Sequence, residues 1–302
     1  MHIGMVGLGR MGMNMALRLM QGGHTVSGFN KSAENTSKAE GFGIKAVRSL
    51  EELAESLPAP RIVWMMIPAG SPVDETIESI KGAIGPGDII IDGGNSYYKD
   101  SIRRYHALKE IGIRFLDVGV SGGIWGLTEG YCLMAGGDED VYKTLEPVFQ
   151  TLSQSEGCLF CGGPGSGHYV KMAHNGIEYG LMEAYGEGFE LLKASPYGAE
   201  LDLSRIAHLW NRGSVVRSWL LELLESALNK DRGLEAISGY VADSGEGRWA
   251  VKEAIDAGVA LPAISEALYR RFRSRQDDSF AEKVLVALRK EFGGHSVKPE
   301  SE

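Results

Sequence analysis

Short apolar runs alternate with amphipathic stretches through the first half of the chain. Residues 2–6, 24–29, 61–67, 88–92 and 114–120 each read as strands. The run over 61–67 is apolar on both faces, as in a parallel strand covered on both sides. Between the runs the period changes to helical: Met15, Ala16, Leu19 and Met20 share one face, and Ser49-Leu-Glu-Glu52 is a capping box that opens a short helix. Residues 131–135 and 159–160 read as closing strands around a helix over 138–152. This alternation predicts an α/β architecture, a doubly wound and mainly parallel sheet. Gly162-Gly-Pro-Gly-Ser-Gly167 ends it. From His168 onward almost every segment reads as helix: 168–194, 203–210, 215–228, 246–257, 264–272, and a last one with Phe280, Val284, Leu285 and Leu288 on one stripe. Trp210 and Trp219 are expected in the core, and His208 as a packed or surface histidine. The expected division is a sheet domain over 1–166 and an all-α domain over 167–302.

Composition narrows the class. The 302 residues are 43% hydrophobic and 24% charged, ordinary for a globular protein of two domains. A net charge of −9 argues against a nucleic-acid surface, so an anionic ligand needs a local basic pocket. There is no apolar run long enough for a membrane span, and the first strand begins at once with no leader-like segment. A cytoplasmic protein is expected. Of three cysteines, Cys158 and Cys161 have metal-like spacing. No second ligand pair accompanies them, and they sit in what reads as a buried strand, so they are taken as structural and no metal is expected.

The first strand runs into Gly7-Leu8-Gly9-Arg10-Met11-Gly12 and then a helix. This is the dinucleotide fingerprint in its required context, and it makes the sheet domain Rossmann-type. Gly7 permits the turn, Gly9 lets a pyrophosphate approach the backbone, and Gly12 lets helix and strand pack closely. The second strand ends at Asn30-Lys31-Ser32, with no acidic residue for a ribose 2′-hydroxyl. Lys31 and Ser32 suit a 2′-phosphate instead, so NADP is expected, with NAD possible. The polar turns Asn95-Ser96 and Ser121-Gly122-Gly123 follow strands at the carboxyl edge of the sheet, where ligands of such folds bind.

The helix after the glycine break carries Lys171, His174, Asn175, Glu178 and Tyr179 on one stripe. Lys171 and Glu178 are roughly 10 Å apart along its axis. The remaining positions are apolar or small, so the helix is expected to be buried with its polar stripe facing a cavity.

Asp92-Gly-Gly-Asn95-Ser96, Val120-Ser121-Gly122-Gly123 and Lys171-Met-Ala-His174-Asn175-Gly-Ile-Glu178-Tyr179, together with the amino-terminal glycine loop, resemble the decarboxylating 6-phosphogluconate dehydrogenases. The resemblance continues through Gly245-Glu-Gly247-Arg248-Trp249, with Arg at a usual Lys position, through Tyr269-Arg270-Arg271, and through Arg289 to His295. It implies oxidation at C3 of a phosphorylated sugar acid and loss of C1 as CO₂. Lys171 would be the base at the C3 hydroxyl, since burial and the adjacent nicotinamide charge favour its neutral form. Glu178 would protonate C1 of the enediol that remains, the former C2. Asn95, His174 and Asn175 would orient hydroxyls, Ser121, Gly122 and Gly123 the carboxylate. Tyr179, Arg271 and Arg289 would clamp the phosphate, and Arg248 and His295 would also meet the substrate, with the tail reaching a neighbouring subunit of a homodimer or homotetramer. Two departures stand out. The chain looks like the short form, without the duplicated helical part, and Ile124-Trp125 replaces the usual acidic pair after Ser121-Gly-Gly. The rivals are a β-hydroxyacid dehydrogenase of the 3-hydroxyisobutyrate type, which explains neither Glu178 nor the arginines, and a catalytically idle dinucleotide-binding module.

Overall fold

In the computed structural model, which describes residues 1–294 and 296, the chain divides into two compact units, Met1–Asn175 and Gly176–Glu302. His295 lies outside the described residues. The first unit has one eight-stranded sheet: β1 (His2–Val6), β2 (Thr25–Phe29), β3 (Lys45–Val47), β4 (Ile62–Met65), β5 (Ile89–Asp92), β6 (Arg114–Ser121), β7 (Tyr131–Gly137) and β8 (Ser153–Gly162). The spatial order is β3-β2-β1-β4-β5-β6-β7-β8. All neighbours are parallel except β6 and β7. Its helices are α1 (Arg10–Gln21), α2 (Ala33–Gly41), α3 (Leu50–Glu55), α4 (Ser71–Ile80), α5 (Tyr98–Glu110), α6 (Gly126–Glu129), α7 (Glu139–Thr144) and α8 (Glu146–Leu152).

The sequence dictates this layering. Ile3 and Met5 pack on one face of β1 with Met15 and Leu19 of α1. Val63 and Met65 of β4 pack on the other face with Leu53 and Val73. Two apolar layers on one sheet need helices on both sides. The order reverses between β1 and β4, and an open sheet has its crevice at such a point. The Ser49 cap forms as expected, with Glu52 N donating to Ser49 Oγ (3.1 Å), and the Glu52 carboxylate reaches back to accept from Arg48 N (2.8 Å), one residue before the cap.

The second unit is helical. The helix α9 (Ser166–Ala194) enters it from the first, followed by α10 (Leu203–Trp210), α11 (Trp219–Lys230), α12 (Glu246–Ala257), α13 (Pro262–Arg273) and α14 (Phe280–Gly293). One small core joins Phe189, Ala207, Leu221 and Leu228; another joins Tyr179, Ala267 and Leu268.

Four expectations change. The helix over 138–152 is two, α7 and α8, because Pro147 starts a new first turn after Leu145. The helix over 215–228 begins only at Trp219, where Ser218 Oγ accepts from Leu221 N, and Trp219 is about half exposed rather than in the core. Strand β8 is the sheet's edge, not a buried strand, so Cys158 and Cys161 are half-buried. Burial still pushes both thiols up, which disfavours the reactive thiolate form. Finally, α9 is not enclosed: Ile177, Leu181, Met182 and Leu191 are exposed in the single chain.

Candidate active site

The glycine loop has the shape its sequence requires. Gly7 has φ +93°, and a Cβ there would lie 2.4 Å from the Met66 carbonyl oxygen. A Cβ on Gly12 would lie 1.9 Å from the Gly7 oxygen, so helix and loop touch. Nothing stands within 4 Å of a Cβ on Gly9, which opens onto space. A cavity of about 620 Å³ adjoins, lined by Gly7, Asn30, Lys31, Arg48, Glu51 and Glu75 among others. Asn30 serves the loop itself: Leu8 N donates to its Oδ1 (2.9 Å). Ser32 stands at the start of α2 without a side-chain cap bond. Arg48, at the end of β3, was not singled out from sequence.

At the carboxyl edge of β5 and β6 the structure brings Ser121, Lys171, His174 and Asn175 together. Lys171 and Asn175 are each 7% exposed. His174 Nδ1 lies 3.4 Å from Lys171 Nζ and 3.1 Å from Asn175 Oδ1; its Nε2 lies 3.2 Å from Ser121 Oγ. An imidazole so placed can accept from the lysine at Nδ1, or donate from Nδ1 to Asn175 while accepting from Ser121. Asn95 follows the Gly93-Gly94 turn. Gly94 N donates to Asp92 Oδ1 (3.2 Å), and the buried Arg104 spans Asp92 (3.3 Å) and Asp74 (2.8 Å) beneath it. Gly122 (φ +125°) and Gly123 (φ +56°) turn the chain into a short 3₁₀ segment. There Ile124 and Trp125, which replace the acidic pair usual in the resemblance, are each about half exposed, and Asn14 donates to the Ile124 oxygen (3.1 Å).

Two residues that hold this cluster escaped the sequence reading. Gly119 on β6 faces α9: a Cβ there would lie 2.4 Å from Lys171 Cβ. Asp117, fully buried on the same strand, accepts from Gly165 N (2.7 Å) and His168 N (2.9 Å), so it caps the helix that carries Lys171. A carboxylate inside an apolar strand was the available signal.

In the second unit, Glu178 is half-buried, and Tyr179 is buried with the Arg271 guanidinium 3.6 Å from its ring centre. Gly247 makes room for that ring, since a Cβ would lie 2.7 Å from Tyr179 Cε2. Arg248 binds Asp243 through two bonds (2.6 and 3.2 Å), and Arg271 donates to the Ala242 oxygen (2.9 Å). Arg248 first, and then Arg275, hold the Asp243 carboxyl well below the usual range, at about 2. Arg289 stands exposed on α14. His208 is a surface histidine beside Glu225 (3.0 Å). Among the described residues no group of His, Cys, Asp and Glu is placed to hold a metal, and no helix is long and apolar enough to cross a membrane.

Comparison with known proteins agrees across the whole chain. Residues 2–163 match the NAD-binding domain of 6-phosphogluconate dehydrogenase, and 167–298 match that enzyme's C-terminal domain. A Bacillus subtilis protein described as a putative 6-phosphogluconate dehydrogenase is 44% identical, covering 99% of each chain. The NAD⁺-dependent decarboxylating enzyme of Haloferax volcanii is 42% identical over 98% of each. The Plasmodium falciparum enzyme, solved with NADP⁺ and with 6-phosphogluconate, superposes with a TM-score of 0.82 at 31% identity, covering all of this chain and 67% of the longer one. A Mycobacterium tuberculosis 3-hydroxyisobutyrate dehydrogenase shares the fold alone, at 24% identity and a TM-score of 0.73. The chain belongs to the 6-phosphogluconate dehydrogenase family.

Proposed function

We propose that this chain oxidises 6-phosphogluconate with NADP, and less well with NAD, and releases ribulose 5-phosphate and CO₂. The observation that carries the reading is the buried Lys171, bonded to a His174 that also meets Ser121. Residues 1–166 bind the dinucleotide through Gly7 to Gly12 and Asn30 to Ser32, which supplies the hydride acceptor. Lys171 takes the C3 hydroxyl proton as the C3 hydrogen leaves as hydride. The β-keto acid then loses C1 as CO₂, and protonated Lys171 stabilises the enediolate oxygen. Glu178, two turns further along α9, gives a proton to the former C2, which becomes C1 of ribulose 5-phosphate. One proton is taken and one is returned, so the reaction balances. Asn95, His174 and Asn175 orient hydroxyls; Ser121, Gly122 and Gly123 hold the carboxylate; Tyr179, Arg248 and Arg271 receive the phosphate.

Arg289, with His295, completes that phosphate site from a second copy in at least a dimer. This is supported by the apolar stripe of α14, where Phe280, Leu285 and Leu288 are exposed in the single chain.

Incubation with 6-phosphogluconate labelled at C1 tests the reaction. Labelled CO₂ should appear one-for-one with reduced NADP, and 3-hydroxyisobutyrate should give neither. Reduction without labelled CO₂ would refute decarboxylation. The tail is tested by mixing Lys171→Met subunits with Arg289→Ala subunits. Activity well above either parent is expected, and its absence in mixtures that have exchanged subunits would place Arg289 in its own chain's site.

A further inference from the structure

The arginines assigned to the phosphate converge on one dipeptide. Arg271 donates Nη1 to the Ala242 oxygen (2.9 Å). Arg248 donates Nε and Nη2 to the two oxygens of Asp243. A third arginine meets the same carboxylate: Arg275 donates Nη2 to Asp243 Oδ1, and its Nε donates to the Arg271 oxygen (2.9 Å) at the end of α13. The guanidiniums of Arg248 and Arg275 both lie over the Phe272 ring, at 4.6 and 5.3 Å from its centre. The Asp243 side chain is 3% exposed, whereas half of Arg248 remains open to solvent.

A carboxylate this buried has a role in placing its partners. A bidentate pair fixes the plane of a guanidinium, which a single bond does not. It engages one edge of Arg248 and orients the rest. Two guanidiniums on one carboxylate, with Arg271 on the neighbouring carbonyl, set three positive charges against one negative, and the excess of two matches a phosphate dianion. A chain of net charge −9 needs such a local excess.

We infer that Asp243, itself held by Arg275, is a positioning residue that sets Arg248 for the phosphate group of the substrate. The inference rests on the reading of the second unit as the phosphate site. Asp243 touches no reacting atom, so its effect falls on substrate affinity and not on the chemical step.

The test is Asp243→Asn in the full-length enzyme, with KM and kcat for 6-phosphogluconate, KM for the dinucleotide, and Tm. One mispositioned charge-assisted contact is worth ~10–100-fold in KM for 6-phosphogluconate. The kcat and the dinucleotide KM should stay within ~3-fold, a change of under 1 kcal/mol. Arg275→Met should raise the same KM by less. The double variant should be no worse than Asp243→Asn alone, because both act through one carboxylate. Competitive inhibition by inorganic phosphate should weaken in step. A folded Asp243→Asn enzyme with unchanged KM, or one whose kcat and both KM values deteriorate together with Tm, overturns the inference while leaving the reaction intact. A wild-type chain that neither binds nor turns over 6-phosphogluconate overturns the reading beneath it.

Discussion

The lysine cluster of the first unit and the arginine cluster of the second are anchored by different means. Around Lys171 the anchors are backbone. Asp117 accepts from two main-chain N–H groups, and β6 approaches α9 so closely that position 119 has no room for a Cβ. Around Arg248 and Arg271 the anchors are mostly side chains: a carboxylate, two aromatic rings and one carbonyl oxygen. A backbone anchor inside a packed sheet resists displacement, because cores yield little. Ion pairs with half-open partners yield more readily. The difference fits the two tasks. Proton and hydride transfer need atoms within tenths of an ångström, whereas holding a phosphate needs charge in roughly the right place.

Removal of Lys171, the proposed base, should have the largest effect. Lys171→Met should lower kcat by ~10⁴-fold or more, at or beyond the upper end for general acid–base groups, while dinucleotide affinity, measured by fluorescence titration, stays near wild type. A variant that retains a tenth of the wild-type rate would take Lys171 out of the chemistry.

A matched pair of glycine substitutions comes next and tests the contrast directly. In Gly119→Ala the new methyl meets Lys171 Cβ at 2.4 Å and the Gly167 oxygen at 3.1 Å, so α9 itself must move. A shift of that kind should cost kcat ~10²-fold and stability ~1–3 kcal/mol. In Gly247→Ala the methyl meets the Tyr179 ring at 2.7 Å, an edge that can swing. Its effect should appear as a higher KM for 6-phosphogluconate with kcat nearly kept. Steady-state kinetics on both variants would erase the distinction if each lost kcat and KM in equal measure.

Much of this was legible in the chain. The strand and helix order, apart from the short β3 that the sequence reading missed, follows from runs and periods, and the glycine loop, the Asn30-Lys31-Ser32 end and the Lys171–Tyr179 stripe are local patterns. What stayed hidden depends on partners distant in sequence. Asp117 caps a helix that begins about fifty residues later, and Gly119 reveals its purpose only against Lys171. Asp243 reads as an ordinary loop aspartate until Arg248 and Arg275 converge on it. The exposed apolar face of α9 was misread because apolar spacing marks which positions share a face and does not say what covers them. Trp219 was misplaced for a local reason, since the Ser218 cap starts the helix later than periodicity alone suggested.

The smallest effect concerns acid stability and probes the second anchor alone. Arg248 first, then Arg275, hold the folded-state carboxyl of Asp243 at about 2, and burial acts the other way. In the unfolded chain an aspartate titrates near ~3.9. A carboxyl depressed on folding stabilises the native state above the unfolded value, and that stability is lost as pH falls through the folded one. The contribution at neutral pH is about 1–2 kcal/mol once the open side of Arg248 is allowed for. Asp243→Asn carries no charge at any pH. Its Tm should therefore lie below wild type by a few degrees, a gap of ~2–4 °C per kcal/mol for a chain of this size. The gap should stay constant from neutral pH down to about 5 and close between about 4 and about 2, as the wild-type carboxyl takes up its proton. Other carboxylates titrate alike in both proteins and cancel in the difference. Thermal melts followed by circular dichroism across that range give the curve. A gap that persists unchanged to the acid end would mean that the asparagine loses shape or packing, and that the two arginines do not hold Asp243 by its charge.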